Sequence, residues 1–464
     1  MKKNNVTSSP KTRRAFSGFA CVFTTLALAA CGTNANLKTA QAKYRSGNFS
    51  GALSTIRSEA SKQKVGDRDA SIVRLEHASM AFTAGQTQEA VQASRFADEA
   101  IKHRDEKAVI LVGKEASALL TNLNSMPYNT SPTERVMGAS LLAVSFAASG
   151  DLIKARSAVT LAKQRQKDNF TKFAAQIEEE RKSVSQAMAS SGQMHLQLQQ
   201  DKIDGSVQRL EASTAKLQPY ANYTVPYADM LSGVLLGAGP NPELGRSRES
   251  FAMARAANPA SGQIQKAMSS SLNGTTHIFV EEGVAPHLGS LRIDLPMYIN
   301  RNLVMFSAAF PTFEPNPLTS RQTTIVSGGQ TVDSDVICEF DRLAAGEYRR
   351  KMPGTVSRTV AASALKSMIS YAGQQALRSQ GKNGDSYAQI FALASGIYNV
   401  ASARADERIW ATLPKQVRYA VISTPASGQV EINGTKVTLP KDGGTKVIVA
   451  RSVNGQLSTQ AFGL

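Results

Sequence analysis

Cysteine, histidine and tryptophan are scarce: three Cys, five His and one Trp in 464 residues. Three cysteines cannot staple a disulfide scaffold. His77, His103, His195, His277 and His287 are scattered, with no H-E-x-x-H or H-x-x-x-H pair, so no metal ligand set is readable. A G-x-S-x-G elbow and a G-x-x-x-x-G-K-[ST] loop are both missing. No catalytic residue, cofactor or metal is therefore assigned. One tryptophan does not make an aromatic cluster of the carbohydrate-binding kind. Acid is short too, with 36 Asp+Glu against 53 Lys+Arg and a net charge of +17. The basic excess is diffuse and lacks interleaved aromatics, which argues against a nucleic-acid partner. With 42% hydrophobic residues the chain still buries a real core, and its length allows two to four domains.

Residues 1–30 read as an address rather than as fold. Lys2, Lys3, Lys11, Arg13 and Arg14 form a basic region without acid, and an apolar stretch runs from Ala15 to Ala30. It is too short and too broken by threonine for a good membrane span. It ends Leu28-Ala29-Ala30-Cys31-Gly32, the pattern of a bacterial lipobox. In a lipobox the cysteine thiol is acylated, palmitate included, and becomes the new N-terminus. Cleavage leaves 48 basic and 36 acidic residues, a mature charge of +12. Gly32, where an aspartate would mark inner-membrane retention, directs the expectation to the outer membrane. Residues 31–36 then form a lipidated tether, and the acyl chains at Cys31 hold the protein to the bilayer.

Residues 37–272 carry helical periods rich in Ala, Gln, Lys and Glu. Tyr44, Gly47, Phe49 and Ala52 read Y-x-x-G-x-F-x-x-A. Phe82, Gly85, Ala90 and Ala97 repeat the spacing, preceded by Ala78. Ala143, Gly150, Leu152, Ala155 and Ala162 give a third unit, and Phe251, Ala254 and Pro259 close a fourth. This pattern resembles the tetratricopeptide repeat. Small residues let antiparallel helices approach, and glycine ends the first helix of each pair. Ile153 to Met188 reads as one or two long helices, with Glu178-Glu179-Glu180-Arg181-Lys182 on a polar face. Met194 to Gln200 reads as polar helix. Such arrays usually offer a concave surface to partners.

From Asn273 the signal changes to short strands broken by Gly and Pro. His277–Glu281, Leu291–Leu295 (ending at Pro296), Leu303–Phe310 (closed by Pro311), Thr323–Val326 and Val417–Ser423 are expected strands. Asn433-Gly434 and Asn454-Gly455 predict two tight hairpins, Val430–Ile432 with Lys436–Leu439 and Thr445–Ser452 with Gln456–Phe462. A helical insertion occupies about 341–404. Its parts are Asp341–Arg350, stopped at Pro353, then Pro353–Ser379, then Ser386–Arg404 capped by Asp385. The fold class is thus α+β: a tetratricopeptide-like helical array over 37–272, then a β-rich sandwich-like domain over 273–464 with an inserted helical pair.

The order of motifs in the second half is also familiar. His277-Ile-Phe-Val-Glu-Glu-Gly283, Arg292-Ile-Asp-Leu-Pro296, Ala309-Phe-Pro311, Arg358 before Lys366, and Ala405-Asp-Glu-Arg-Ile-Trp-Ala-Thr-Leu-Pro414 follow one another. The chain resembles an uncharacterised family of proteobacterial outer-membrane lipoproteins that join a tetratricopeptide-like half to a β-rich half. The resemblance implies architecture and location and carries no reaction. In the last motif Asp406 can pair with Arg408 or Arg404, and buried Trp410 would cover about 200 Å². Candidate interaction residues are Arg349, Arg350, Lys351, Arg408 and Trp410, with structural roles weighed above ligand roles. Glu281-Glu282-Gly283 reads as a polar strand end rather than a cation contact, and Cys338 as a buried thiol. The expectation is a scaffold on the periplasmic face of the outer membrane, with an envelope protein as partner and peptidoglycan or an anionic glycan as a further ligand class. A regulator of peptidoglycan synthesis or of a surface appendage is a narrower form of that reading. An envelope enzyme with a site in 273–464 is the alternative of another class, because carboxylate pairs leave little local trace.

Overall fold

The computed structural model describes residues 35–110, 127–168, 196–198, 205, 208–221, 224–299, 302–318, 323–379, 405–442 and 444–464. The signal region, Cys31, the run Glu178 to Lys182 and the helix expected at Ser386–Arg404 lie outside the described residues. The chain is mixed α+β, with helices in the N-terminal half and sheets in the C-terminal half. Among the described residues no helix is long and apolar enough to cross a membrane.

Among the described residues the helical half includes α1 (Ala35–Arg45), α2 (Phe49–Ala60), α3 (Ala70–Thr83), α4 (Thr87–Ile110), α5 (Pro132–Ala148), α6 (152–168), α7 (Pro226–Gly237), α8 (Leu244–Ala257) and α9 (Gly262–Ser269). From α1 to α5 each helix packs on the next, α5 packs on α7, and α7, α8 and α9 continue in order. The spaced small residues do what their spacing predicts. Ala52, Ala78, Ala90, Ala143, Ala155 and Ala254 are fully buried between helices, and Tyr44, Phe82 and Phe251 fill the gaps. The turns after α1, α3 and α5 each contain a glycine at positive φ, Gly47 (82°), Gly85 (79°) and Gly150 (87°). An L-residue adopts that conformation at a cost. Helix α1 begins inside the expected tether, and Asn36 bonds Glu59 of α2 at 3.2 Å.

Most strands of the second half build two facing sheets. In the five-stranded sheet the order is β12 (Gln456–Gly463), β11 (Lys446–Val453), β2 (Thr275–Glu282), β8 (Gln416–Ser423) and β7 (Asp335–Glu339). All neighbours are antiparallel except β11 and β2. The four-stranded sheet has the order β10 (Thr435–Thr438), β9 (Gln429–Ile432), β5 (Ile325–Ser327) and β6 (Gln330–Val332). Both predicted hairpins form, with Asn433 and Gly434 at φ 50° and 80° and Asn454 and Gly455 at 49° and 77°. The first lies in the four-stranded sheet and the second in the five-stranded sheet. Ile278, Val280, Ala420, Ile422, Val430, Ile432, Ile448 and Ala450 make the core between the sheets. The opposite face of the larger sheet carries Phe279, Tyr419, Val421, Val447 and Val449, and these share one continuous core with the helices.

Edge strand β12 lies against the turns of the array. The Ser458 hydroxyl donates to the Thr83 carbonyl. A Cβ on Gly47 would meet Gln456 Cγ at 2.5 Å, and one on Gly239 would sit 3.4 Å from the Leu464 carbonyl carbon. The helices therefore cover an edge that would otherwise invite strand addition.

A third sheet has the order β1 (Leu196–Leu198), β3 (His287–Ile299) and β4 (Asn302–Glu314). β1 corrects the polar helix expected at 194–200. β3 and β4 pair over their full 13 residues, from His287↔Glu314 to Ile299↔Asn302. Neither Pro296 nor Pro311 ends its strand. Among the described residues the β1 pairing runs to Leu198↔Met297, next to Pro296, and Pro311 lies on the edge strand β4, a position where a missing N–H is tolerated. The outer side of β4 meets α10 (Phe340–Arg378), whose Tyr348 hydroxyl donates to the Pro311 carbonyl at 2.8 Å. α10 also runs straight through Pro353, where a stop was expected. A proline inside a helix costs about 3 kcal/mol. Tyr348, Met352 and Val356, at successive fourth positions, pack with Ala308, Phe310 and Phe313 on both sides of that point, and this stripe outweighs the local cost.

Candidate functional site

The densest polar chemistry lies where the array meets the stretch 405–414, here called the strap. Through residue 410 the strap has no helix or strand, so its main-chain groups must find partners elsewhere. The array provides them. Glu134, in the first turn of α5, accepts the Trp410 N–H at 2.8 Å. Glu76, in the middle of α3, accepts the Ala411 N–H at 2.7 Å and the Thr412 hydroxyl at 2.5 Å. Gln41 of α1 donates to the same Glu76 at 2.7 Å. The Trp410 indole N–H reaches Ser79 Oγ at 3.1 Å and Thr412 Oγ1 at 2.9 Å. The ring is 1% exposed.

Local sequence explains part of this geometry. Ser131-Pro132-Thr133-Glu134 is a capping box: the Glu134 N–H donates to Ser131 Oγ, and Glu134 Oε2 accepts the Ser131 N–H at 2.7 Å. Tyr128 donates its hydroxyl to the same carboxylate at 2.6 Å. Glu134 thus caps its own helix and holds the strap at once. Arg408 closes the N-terminal end of the strap. Its Nη1 bonds Asp69, the residue before α3, at 2.7 Å, and its Nε and Nη2 bond Asp406 at 2.8 and 2.7 Å. On the other side Arg451 of β11 donates to Tyr44 Oη at 2.8 Å and to the Thr412 carbonyl at 3.0 Å.

Burial sets the electrostatics. It pushes the Glu76 carboxyl up to about 7, against the hydrogen bonds from Thr412, Gln41 and Ala411. It also opposes the charge on Arg408, but the carboxylates of Asp406 and Asp69 outweigh it and raise the guanidinium above its ordinary value. Burial and the neighbouring Glu134 raise the Tyr128 phenol well above its usual range. A space of about 30 Å³ beside Tyr44, Ser79, Glu281, Trp410 and Thr412 has room for about one water. These groups therefore bind and fix a polypeptide; the space holds no substrate-sized molecule.

The residues singled out in the sequence do not come together at one site. Trp410 and Arg408 face inward in this junction and form no exposed platform. Arg349 donates to the Leu217 carbonyl, and Arg342 to the Gln218 carbonyl at 2.6 Å while stacking on Tyr220 at 4.0 Å. The basic run of α10 thus begins as a clip on residues 217–220, with Arg350 exposed and Lys351 half-buried beyond it. Glu281 is half-buried and accepts from Tyr227 at 2.8 Å. Glu282 holds Thr323, Gln416 and Arg418. Cys338 is fully buried, and burial pushes its thiol up to about 12. His277 bonds Tyr419 at 2.6 Å and His77 bonds Glu89 at 2.7 Å. Among the described residues no three His, Cys, Asp or Glu gather as metal ligands.

Glu76, Glu134, Asp69 and Arg451 were not singled out in the sequence. One of them leaves a trace there: Ser131 to Glu134 spells a capping box. No family model, no curated protein and no solved structure matches the chain.

Proposed function

We propose that this chain is a lipid-anchored protein on the periplasmic face of a Gram-negative outer membrane, acting as a protein-interaction scaffold in the cell envelope. The observation that carries the reading is Leu28-Ala29-Ala30-Cys31-Gly32 behind a basic and then an apolar stretch. The helical pairs, of tetratricopeptide-like pattern, support it, as does the resemblance to outer-membrane lipoproteins. From Cys31 to the start of α1 at Ala35, the chain can span at most about 14 Å. The folded body is therefore held close to the bilayer, and partners reach it from the periplasm. The reading assigns no reaction.

Replacing Cys31 by Ser tests the anchor, because a hydroxyl is a far weaker nucleophile than a thiol. The variant should stay unprocessed at the inner membrane while the wild type fractionates with the outer membrane. Crosslinking in intact cells followed by capture tests the scaffold, which requires a reproducible envelope partner. A processed outer-membrane Cys31→Ser protein would refute the anchor, and a clean monomer without partners would refute the scaffold.

A further inference from the structure

The strap meets the array in the way a groove meets a peptide. Its main-chain N–H groups at Trp410 and Ala411 are taken by two fixed carboxylates, Glu134 and Glu76, from different helices. One large side chain, Trp410, is anchored in a pocket, and one guanidinium, Arg408, is held by Asp69 at the rim. Elsewhere the array and the larger sheet meet mainly through apolar packing. Only here are consecutive backbone amides, among the described residues, read by array side chains. Backbone capture combined with a buried aromatic anchor is the economy of extended-peptide recognition.

We propose that the groove between α1, α3 and α5 is a peptide-recognition site closed in cis by the chain's own strap. Its ligand class is an extended segment with an arginine, an aromatic residue two positions later and then two small residues, as in Arg408-Ile409-Trp410-Ala411-Thr412. The inference rests on the scaffold reading and specifies it: a partner segment of this pattern competes with the strap for the groove.

Trp410 is the only tryptophan, so Trp410→Ala in the mature full-length protein leaves no indole emission. The synthetic peptide Ala405 to Pro414 then brings its own tryptophan as the reporter. The groove should give a saturable blue shift of that emission. Adding Glu134→Gln should weaken binding about tenfold, as loss of one hydrogen bond to a charged acceptor does. A dye-labelled copy of the peptide should bind the wild type at least about tenfold more weakly than Trp410→Ala, because the strap is in place. If Trp410→Ala loses its helical circular dichroism, Trp410→Phe, equally free of tryptophan, replaces it. If neither folds, hydrogen exchange at the Trp410 and Ala411 amides of the wild type is followed with excess peptide: faster exchange supports the groove and unchanged exchange overturns it. No saturable shift with a folded variant at millimolar peptide overturns the proposal, and so does equal affinity for wild type and variant. Either failure leaves the membrane and crosslinking tests untouched, so the two readings fall separately.

Discussion

Glu134→Ala is the sharpest perturbation of the junction. The carboxylate accepts from the Trp410 N–H, the Ser131 N–H and the Tyr128 hydroxyl. Its residue is 2% exposed. Removing it orphans three donors, two of them buried and the Ser131 N–H half-buried, each costing about 1–3 kcal/mol when unsatisfied. Water entering the vacated space recovers part of that, so the net loss should be about 3–5 kcal/mol. Glu134→Gln keeps the volume and one acceptor oxygen, and should lose about 2 kcal/mol. Ser131→Ala is the control: it removes only the cap, at about 1 kcal/mol, and leaves the strap bonded. The assay is urea unfolding with two signals, far-ultraviolet circular dichroism for the helices and the emission of the single tryptophan for the strap. Glu134→Ala should shift Trp410 emission to the red under native conditions, and Ser131→Ala should not. A loss below about 1 kcal/mol with unchanged emission would refute the assignment of Glu134 as the residue that holds the strap.

Other outcomes follow from the same geometry. The folded state holds the Glu76 proton up to about pH 7 against an ordinary value of 4.5, so it binds more protons than the unfolded chain between those values. Stability from this group is full below pH 4.5 and is lost as pH rises through 7, by about 3 kcal/mol. Wild type should therefore lose stability of that order relative to Glu76→Gln, read from urea midpoints, from pH 5 to pH 8; parallel curves would contradict it. Gly47→Ala should cost about 1–3 kcal/mol, since φ is 82° and the new Cβ meets Gln456; a melt unchanged from wild type would refute the docking of β12 on that turn. In a chain beginning at Gly32, Cys338 should ignore a thiol reagent at pH 8 until denaturant is added, because its thiol is buried and pushed up to about 12; rapid labelling of native protein would place it elsewhere.

Much of the architecture is legible in local pattern because local physics decides it. Glycine at Gly47, Gly85 and Gly150 closes a helix wherever left-handed backbone is needed. Alanine at 52, 90 and 155 permits close helix approach, and Asn-Gly pairs at 433–434 and 454–455 set two-residue hairpins. The change from helical to strand periodicity near Asn273 rests on the same kind of information. Cys31, the one lipidation site expected, is likewise a linear signal.

Tertiary structure decided the rest. Pro353 reads as a helix boundary until the apolar stripe of Tyr348, Met352 and Val356 packs across it. Pro296 and Pro311 read as strand ends until the β3–β4 pairing carries both strands past them. Leu196 to Leu198 become a strand only because Met297 to Ile299 lie alongside. The junction is the extreme case. Glu76 and Ala411 are 335 residues apart, and Trp410 and Glu134 are 276 apart. A buried carboxylate is stable only beside donors that satisfy it, and those donors come from another part of the chain. Local sequence marks Arg408 and Trp410 as notable, but only the folded chain turns both inward, onto the helices that precede them by some 270 to 340 positions.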